Sequence, residues 1–235
     1  MRTRGPLSRW GRALALGVGA LSLSIGARAQ LGVSVAADSD YRFRGVSLSD
    51  SRPSLRMTLN YDAPDGWYAG ASATRAALTP RDRYTQFLGY AGWVTRAVEG
   101  RSLEFGASLS HFAGNSIYDY AEAYAGLLAE RWSARVYYAP NYFGRHVQTA
   151  YLELNAHLPL NQHARLFGHL GLLAALHGGD DDDAKARADM RLGAGLTLRD
   201  WDLQLAWVAA SRGGPYPALY GGRRAAWTAG AAYSF

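Results

Sequence analysis

The sequence predicts an all-β fold: a transmembrane antiparallel up-and-down β-barrel of about twelve strands, placed after a cleaved signal peptide. First, about twelve short segments after residue 30 carry an apolar residue at every second position. Alternation at period two gives strands with one apolar and one polar face. Second, the connections alternate short and long. Ala63-Pro64-Asp65-Gly66, Glu130-Arg131, Pro159-Leu160-Asn161-Gln162 and Arg199-Asp200 are tight, whereas Ser47 to Pro53, Ala113 to Asp119, Leu176 to Arg187 and Ser211 to Gly222 are long. A soluble sandwich also alternates in hydropathy. Short turns on one rim and long loops on the other mark an outer-membrane barrel. Third, 49% of residues are hydrophobic and 12% aromatic, yet no stretch after the leader is apolar for the length of a spanning helix.

The leader comes first. Arg2, Arg4, Arg9 and Arg12 form a basic head, and Ala13 to Ile25 is an apolar run too short to span a bilayer as an anchor helix. Ala27-Arg28-Ala29 is a small-x-small cleavage site before Gln30. Residues 1–29 therefore read as a secretory signal peptide and 30–235 as the barrel. The whole chain is +6, but residues 1–29 hold five arginines and no acid. The remainder carries 20 basic and 19 acidic residues, a formal +1. No basic patch argues for nucleic acid. The chain has no cysteine, which excludes disulfides and thiolate metal sites.

Strands are expected near 31–46, 54–62, 67–77, 85–95, 102–112, 120–129, 132–139, 148–158, 164–174, 188–198, 201–210 and 224–235. Each has about the length a tilted membrane strand needs. An even count places both termini on the periplasmic rim of a Gram-negative outer membrane, so the long loops face outward. Parity then assigns faces. Met190, Leu192, Ala194, Leu196 and Leu198 oppose Asp189, Arg191 and Thr197. Leu152, Leu154, Ala156 and Leu158 oppose Tyr151, Glu153, Asn155 and His157. Trp201, Leu203, Leu205 and Trp207 oppose Asp202, Gln204 and Ala206. Charge on lipid costs a few kcal/mol at mid-depth, so the apolar faces point out. Gln86 to Val94 is mixed on both faces.

Trp67, Trp132 and Trp201 each directly follow a short turn, as a periplasmic aromatic girdle would. Trp227, Ala229, Ala231, Tyr233 and Phe235 alternate to the last residue. This resembles the terminal segment through which the barrel-insertion machinery recognises outer-membrane proteins.

Ser39-Asp40-Tyr41-Arg42-Phe43-Arg44-Gly45-Val46-Ser47 resembles the opening motif of the TorF-like family of proteobacterial outer-membrane porins. Tyr120-Ala121-Glu122-Ala123-Tyr124-Ala125-Gly126, Tyr137-Tyr138-Ala139-Pro140-Asn141-Tyr142-Phe143-Gly144 and Tyr151-Leu152-Glu153 resemble later segments of it. The resemblance spans essentially residues 31–235. It implies an outer-membrane barrel with a porin role, and no catalytic residues, cofactor or agreed substrate.

Asp38, Asp40, Arg42 and Arg44 share parity opposite Val33, Val35, Ala37, Tyr41 and Phe43, and are expected to line the lumen as one charged strip joined by Arg56. Inward parity also collects Asp62, Glu104, Glu122, Arg135, Glu153, Arg165, Asp189, Arg191, Asp202 and Arg224. Such a lining selects small polar, charged or zwitterionic solutes in passive diffusion. The alternative is a salt-bridged interior that fills a non-conducting structural or adhesion barrel, since buried charges must be paired. A lipid-modifying enzyme is a third reading. Ser110-His111-Phe112-Ala113-Gly114-Asn115 offers a serine and a histidine, but adjacent strand residues face opposite ways, and Ala113 has no hydroxyl. Asp180 to Asp183 reads as a solvated outer-loop run; the alternatives are Ca²⁺ binding, for which it lacks the spaced ligands and glycine of a calcium loop, and bridging to lipopolysaccharide through divalent cations. No zinc pattern or phosphate-cradling loop occurs.

Overall fold

In the computed structural model the described residues are 30–78, 83–178, 185–215 and 223–235. The predicted signal peptide and the Asp180 to Asp183 run lie outside them. The wall is one closed barrel of antiparallel strands. In chain order they are β1 (Gln30–Asp38), β2 (Ser54–Asp62), β3 (Trp67–Ala77), β4 (Arg83–Val98), β5 (Arg101–Ala113) and β6 (Tyr120–Ala129). β7 (Trp132–Ala139), β8 (Gln148–Pro159), β9 (Ala164–His177), β10 (Ala186–Leu198), β11 (Trp201–Ala210) and β12 (Ala225–Ser234) complete it. Each strand pairs with its chain neighbours, and β1 closes on β12 through Ser34↔Ser234 to Asp38↔Gly230. The Phe235 amide donates to the Val33 carbonyl at 3.0 Å across this seam.

The alternation resolves as lipid face and lumen face. Leu152, Leu154, Leu192, Leu203 and Leu205 are exposed on the outside, while Glu153, Asp189 and Asp202 on the same strands are buried inside. The mixed segment on β4 takes its direction from its partners. Gln86 is buried within the lumen, Phe87 and Trp93 are exposed outside, and Tyr90 donates to Asn60 across the interior at 2.6 Å. Trp67 and Trp201 are exposed beside short turns, and Trp93 stands opposite Trp67 in register.

The first expected strand differs. It leaves the wall after Asp38 rather than running to residue 46. Residues 40–49 turn into the lumen, where Arg42–Phe43 pair with Val46–Ser47 as a small inner hairpin. Asp40, Arg42 and Arg44 therefore do not stack along the wall. Tyr41, expected to face lipid, is buried inside and donates to Gln86 at 3.2 Å. The reason lies at the tip, where Arg44 and Gly45 adopt φ of 48° and 76°. That left-handed pair is a tight turn, which an extended strand cannot contain.

Candidate functional site

The inner hairpin is built by its own polar side chains. Asp40 accepts from Arg42 Nε at 2.7 Å, Ser47 Oγ at 2.5 Å and Ser49 Oγ at 3.1 Å. Ser49 Oγ also accepts the Tyr41 amide at 2.9 Å. Backbone bonds from Ser39 to Ala229 and from Ala77 to Leu48 tie the segment to β12 and β3. Gly45 lies so close to the opposite wall that a methyl there would come within 2.6 Å of the Asp189 Cβ.

Arg44 crosses the lumen. Its Nη1 and Nη2 donate to both Glu122 oxygens at 2.8 Å, and its guanidinium lies 4.1 Å from the Tyr151 ring centroid and 5.3 Å from that of Tyr137. Burial alone would lower its pKa, but the Glu122 carboxylate more than offsets this and holds Arg44 above its ordinary value, firmly charged. Around this clamp, Tyr41, Leu48, Phe112, Tyr120, Tyr142 and Phe143 form an apolar core inside the long-loop end of the barrel. The loop 140–147 supplies Tyr142 and Phe143, whose rings lie 5.0 Å and 4.8 Å from that of Tyr120.

Below this core the lumen has two unlike sides. Along β3 to β8 it is packed. Tyr68 donates to Glu104 at 2.6 Å and its hydroxyl lies 2.6 Å from that of Tyr124. Arg135 bridges Glu104 at 2.5 Å and Glu153 at 3.1 Å, and Tyr137 and Asn155 also donate to Glu153. The charged side chains here are at most 6% exposed.

The side formed by β9 to β12, β1 and β2 is wetter. Arg56 faces Asp38 at 3.3 Å, with side chains 19% and 23% exposed. Arg165 reaches Asp202 at 2.8 Å while staying 24% exposed. His169 links Asp189 at 3.0 Å and Asn155 at 2.7 Å. Arg191 donates to Gln204 at 2.8 Å, and Gln204 donates to Asp202 at 2.8 Å. A water-sized cleft opens here between Asp38, Asp202, Gln204 and Gly230.

Of the charges expected to line the lumen, Asp38, Arg56, Glu104, Glu122, Arg135, Glu153, Arg165, Asp189, Arg191 and Asp202 project from the wall into these networks. Asp40, Arg42 and Arg44 reach the interior from the hairpin instead. Asp62 and Arg224 are exposed at strand ends. Parity placed Tyr151 and Gln204 on the lumen face, as found, but sequence reasoning missed Tyr68, Tyr124, Tyr137 and His169; their inward parity was the available signal. Ser110 is buried inside, whereas His111 lies half exposed on the other face and meets Asp119 at 2.6 Å.

Among curated proteins, none matches this chain. The fold is that of solved outer-membrane porin barrels. The KdgM porin aligns at 12% identity and TM-score 0.56, over 87% of this chain and 99% of that one. The same figures hold for the KdgM porin in complex with disordered oligogalacturonate. The NanC porin aligns at 10% identity and TM-score 0.57, with the same coverage. The family described as bacterial protein of unknown function (Gcw_chp) matches residues 26–232, and the chain belongs to it.

Proposed function

We propose that this protein is an outer-membrane porin that passes small polar or charged solutes by passive diffusion through a narrow, charged lumen. The observation that carries this is the wet side of the interior. A barrel used only as a wall has no need of partly exposed charge inside, yet Arg56, Asp38 and Arg165 each keep about a fifth to a quarter of their side chain exposed. The path runs along β9 to β12 and β1 to β2, and the inner hairpin narrows its long-loop end. Twelve strands fit such a pore, since eight leave room for side chains and 16–18 leave a broad aqueous channel. The likeness of the opening motif to TorF-like porins and the shared fold with the KdgM and NanC porins support the same reading. One of the KdgM porin structures is a complex with disordered oligogalacturonate, and a charged solute for this chain is in keeping with that.

The long-loop rim faces outward in this reading, and the outer leaflet's lipopolysaccharide surrounds it. Epitope tags at Gly213 should be detected on intact cells, while tags at Asn161 or Asp200 should not. The function itself is tested by bilayer recordings of the refolded barrel. Small, salt-dependent conductance is expected, with an ion preference that fades at high salt, where screening shrinks to a few Å. The hairpin's interlocking with Glu122 favours a second reading, a closed structural barrel, and absence of conductance would select it.

A further inference from the structure

We propose that Arg75 and Arg83, on the outside of the barrel, form a binding site for the sugar phosphate of an outer-leaflet lipopolysaccharide. An arginine on the lipid face is costly at the bilayer midplane and nearly free at its edges. Thr74, Ala76 and Gln86 are buried on the inner side, so Arg75 and Arg83 point outward by parity, and both are exposed. At the same end of other strands the outward positions are uncharged, as at Leu55, Ala121, Tyr138, Leu176, Ala188 and Ala225. His111 on β5 also faces out, but it is closed on Asp119 at 2.6 Å. The lumen arginines Arg44, Arg56, Arg135 and Arg165 each lie against a carboxylate. Among the described residues neither Arg75 nor Arg83 has one within 4.0 Å.

Register brings the two together. Arg75 stands opposite Thr85, and Arg83 follows Thr85 at two residues' distance on the same face. Such diagonal neighbours lie about 7–8 Å apart at the backbone, within reach of long side chains. Both guanidinium forks can therefore close on one phosphate, with the Thr85 hydroxyl between them. Their two charges match a phosphate monoester, which carries about −1.5 to −2 at neutral pH. Depth selects a lipid. Trp67 and Trp93 face each other in register at the short-turn end. Arg75 is eight residues from Trp67 along β3, and Arg83 is ten from Trp93 along β4. At about 3.3 Å per residue and a tilt of about 40°, these rise about 20 Å and about 25 Å. The apolar band of such barrels is about 25 Å tall, so both arginines reach its far edge, where headgroup phosphates lie. Below them Met57, Phe87 and Leu109 are exposed for acyl chains to cover. The site rests on the outward orientation of the long loops in the porin reading, and it needs no conduction.

The test is native mass spectrometry of the barrel refolded in detergent and titrated with bis-phosphorylated lipid A. Wild type should show saturable binding. Replacing both residues, Arg75→Gln with Arg83→Gln, should weaken it about tenfold or more, through lost charge-assisted hydrogen bonds. Arg75→Lys with Arg83→Lys keeps the charge but not the forks and should fall between. Arg101→Gln, outward on β5 at the short-turn end, should bind as wild type does. Thermal unfolding checks that each variant is folded. If the folded Gln pair binds as wild type does, if wild type does not saturate, or if Arg101→Gln loses as much, the site is overturned. Equal binding of phosphatidylglycerol, a phosphodiester, overturns the monoester assignment. Displacement of lipid A by an equal concentration of inorganic phosphate overturns the lipid assignment. Conductance of the same preparations keeps the two readings apart: lipid A binding without conductance supports the site and overturns the porin reading, and conductance without binding does the reverse.

Discussion

The two sides of the lumen come from the same pattern of alternating strands, yet their charges do different things. Along β3 to β8 every acid is held by at least two donors, and the tyrosines seal the remaining space. Glu104 takes Tyr68 and Arg135, and Glu153 takes Arg135, Tyr137 and Asn155. Along β9 to β12, β1 and β2 the pairs Arg56–Asp38, Arg165–Asp202 and His169–Asp189 each keep at least one side chain about a fifth to a quarter exposed. Charge inside a barrel is thus not one feature. Where it is bonded and buried it is scaffold, and where it is bonded but partly exposed it is available to a passing solute.

The largest effect expected from this difference is at the hairpin clamp. Glu122→Ala leaves the Arg44 guanidinium buried without its carboxylate, and a broken buried pair costs about 3–5 kcal/mol. Its refolding titration should show that loss. Next is the lipid face. Leu154→Arg and Leu205→Arg should each cost about 2–4 kcal/mol near mid-membrane, and Thr197→Arg, on the lumen face, less. Equal losses would mean that the faces are wrongly assigned. Gly45→Ala combines a left-handed φ with a close approach to Asp189 and should cost about 1–3 kcal/mol. The smallest effect is expected on the wet side. Asp38→Ala breaks a partly exposed pair and should cost under about 1 kcal/mol, while shifting the reversal potential toward anions. A loss as large as that of Glu122→Ala would erase the distinction between the two sides.

Most of the wall was legible in the sequence because a strand in lipid has a hard constraint: every second side chain must be apolar. The short–long rhythm of connections and the strand ends from residue 54 onward follow from it. What alternation does not settle is whether the chain stays in the wall. Asp40-Tyr41-Arg42-Phe43-Arg44 alternates as well as any strand, but its apolar partners are Phe112 and Tyr120 inside the barrel, not lipid. The clue was Gly45, since a glycine within a strand pattern marks a turn, a bulge or a close approach. The mixed faces of β4 had a related cause, because the packed interior accepts Leu88 and Val94 beside Gln86. The identity of each charge's partner was not legible, because it depends on which strands face each other across the lumen.

The most direct test of the central claim is a paired single-channel measurement on wild type and a variant in which residues 40–49 are replaced by a short Gly/Ser linker. If the wet side is a solute path narrowed by the inner hairpin, wild type conducts weakly and the variant conducts several-fold more, with its ion preference still changed by Asp38→Ala. If the linker variant folds as a barrel and conducts no better than wild type, the hairpin is not the constriction. If neither conducts, the lumen is filled scaffold and the protein is not a porin.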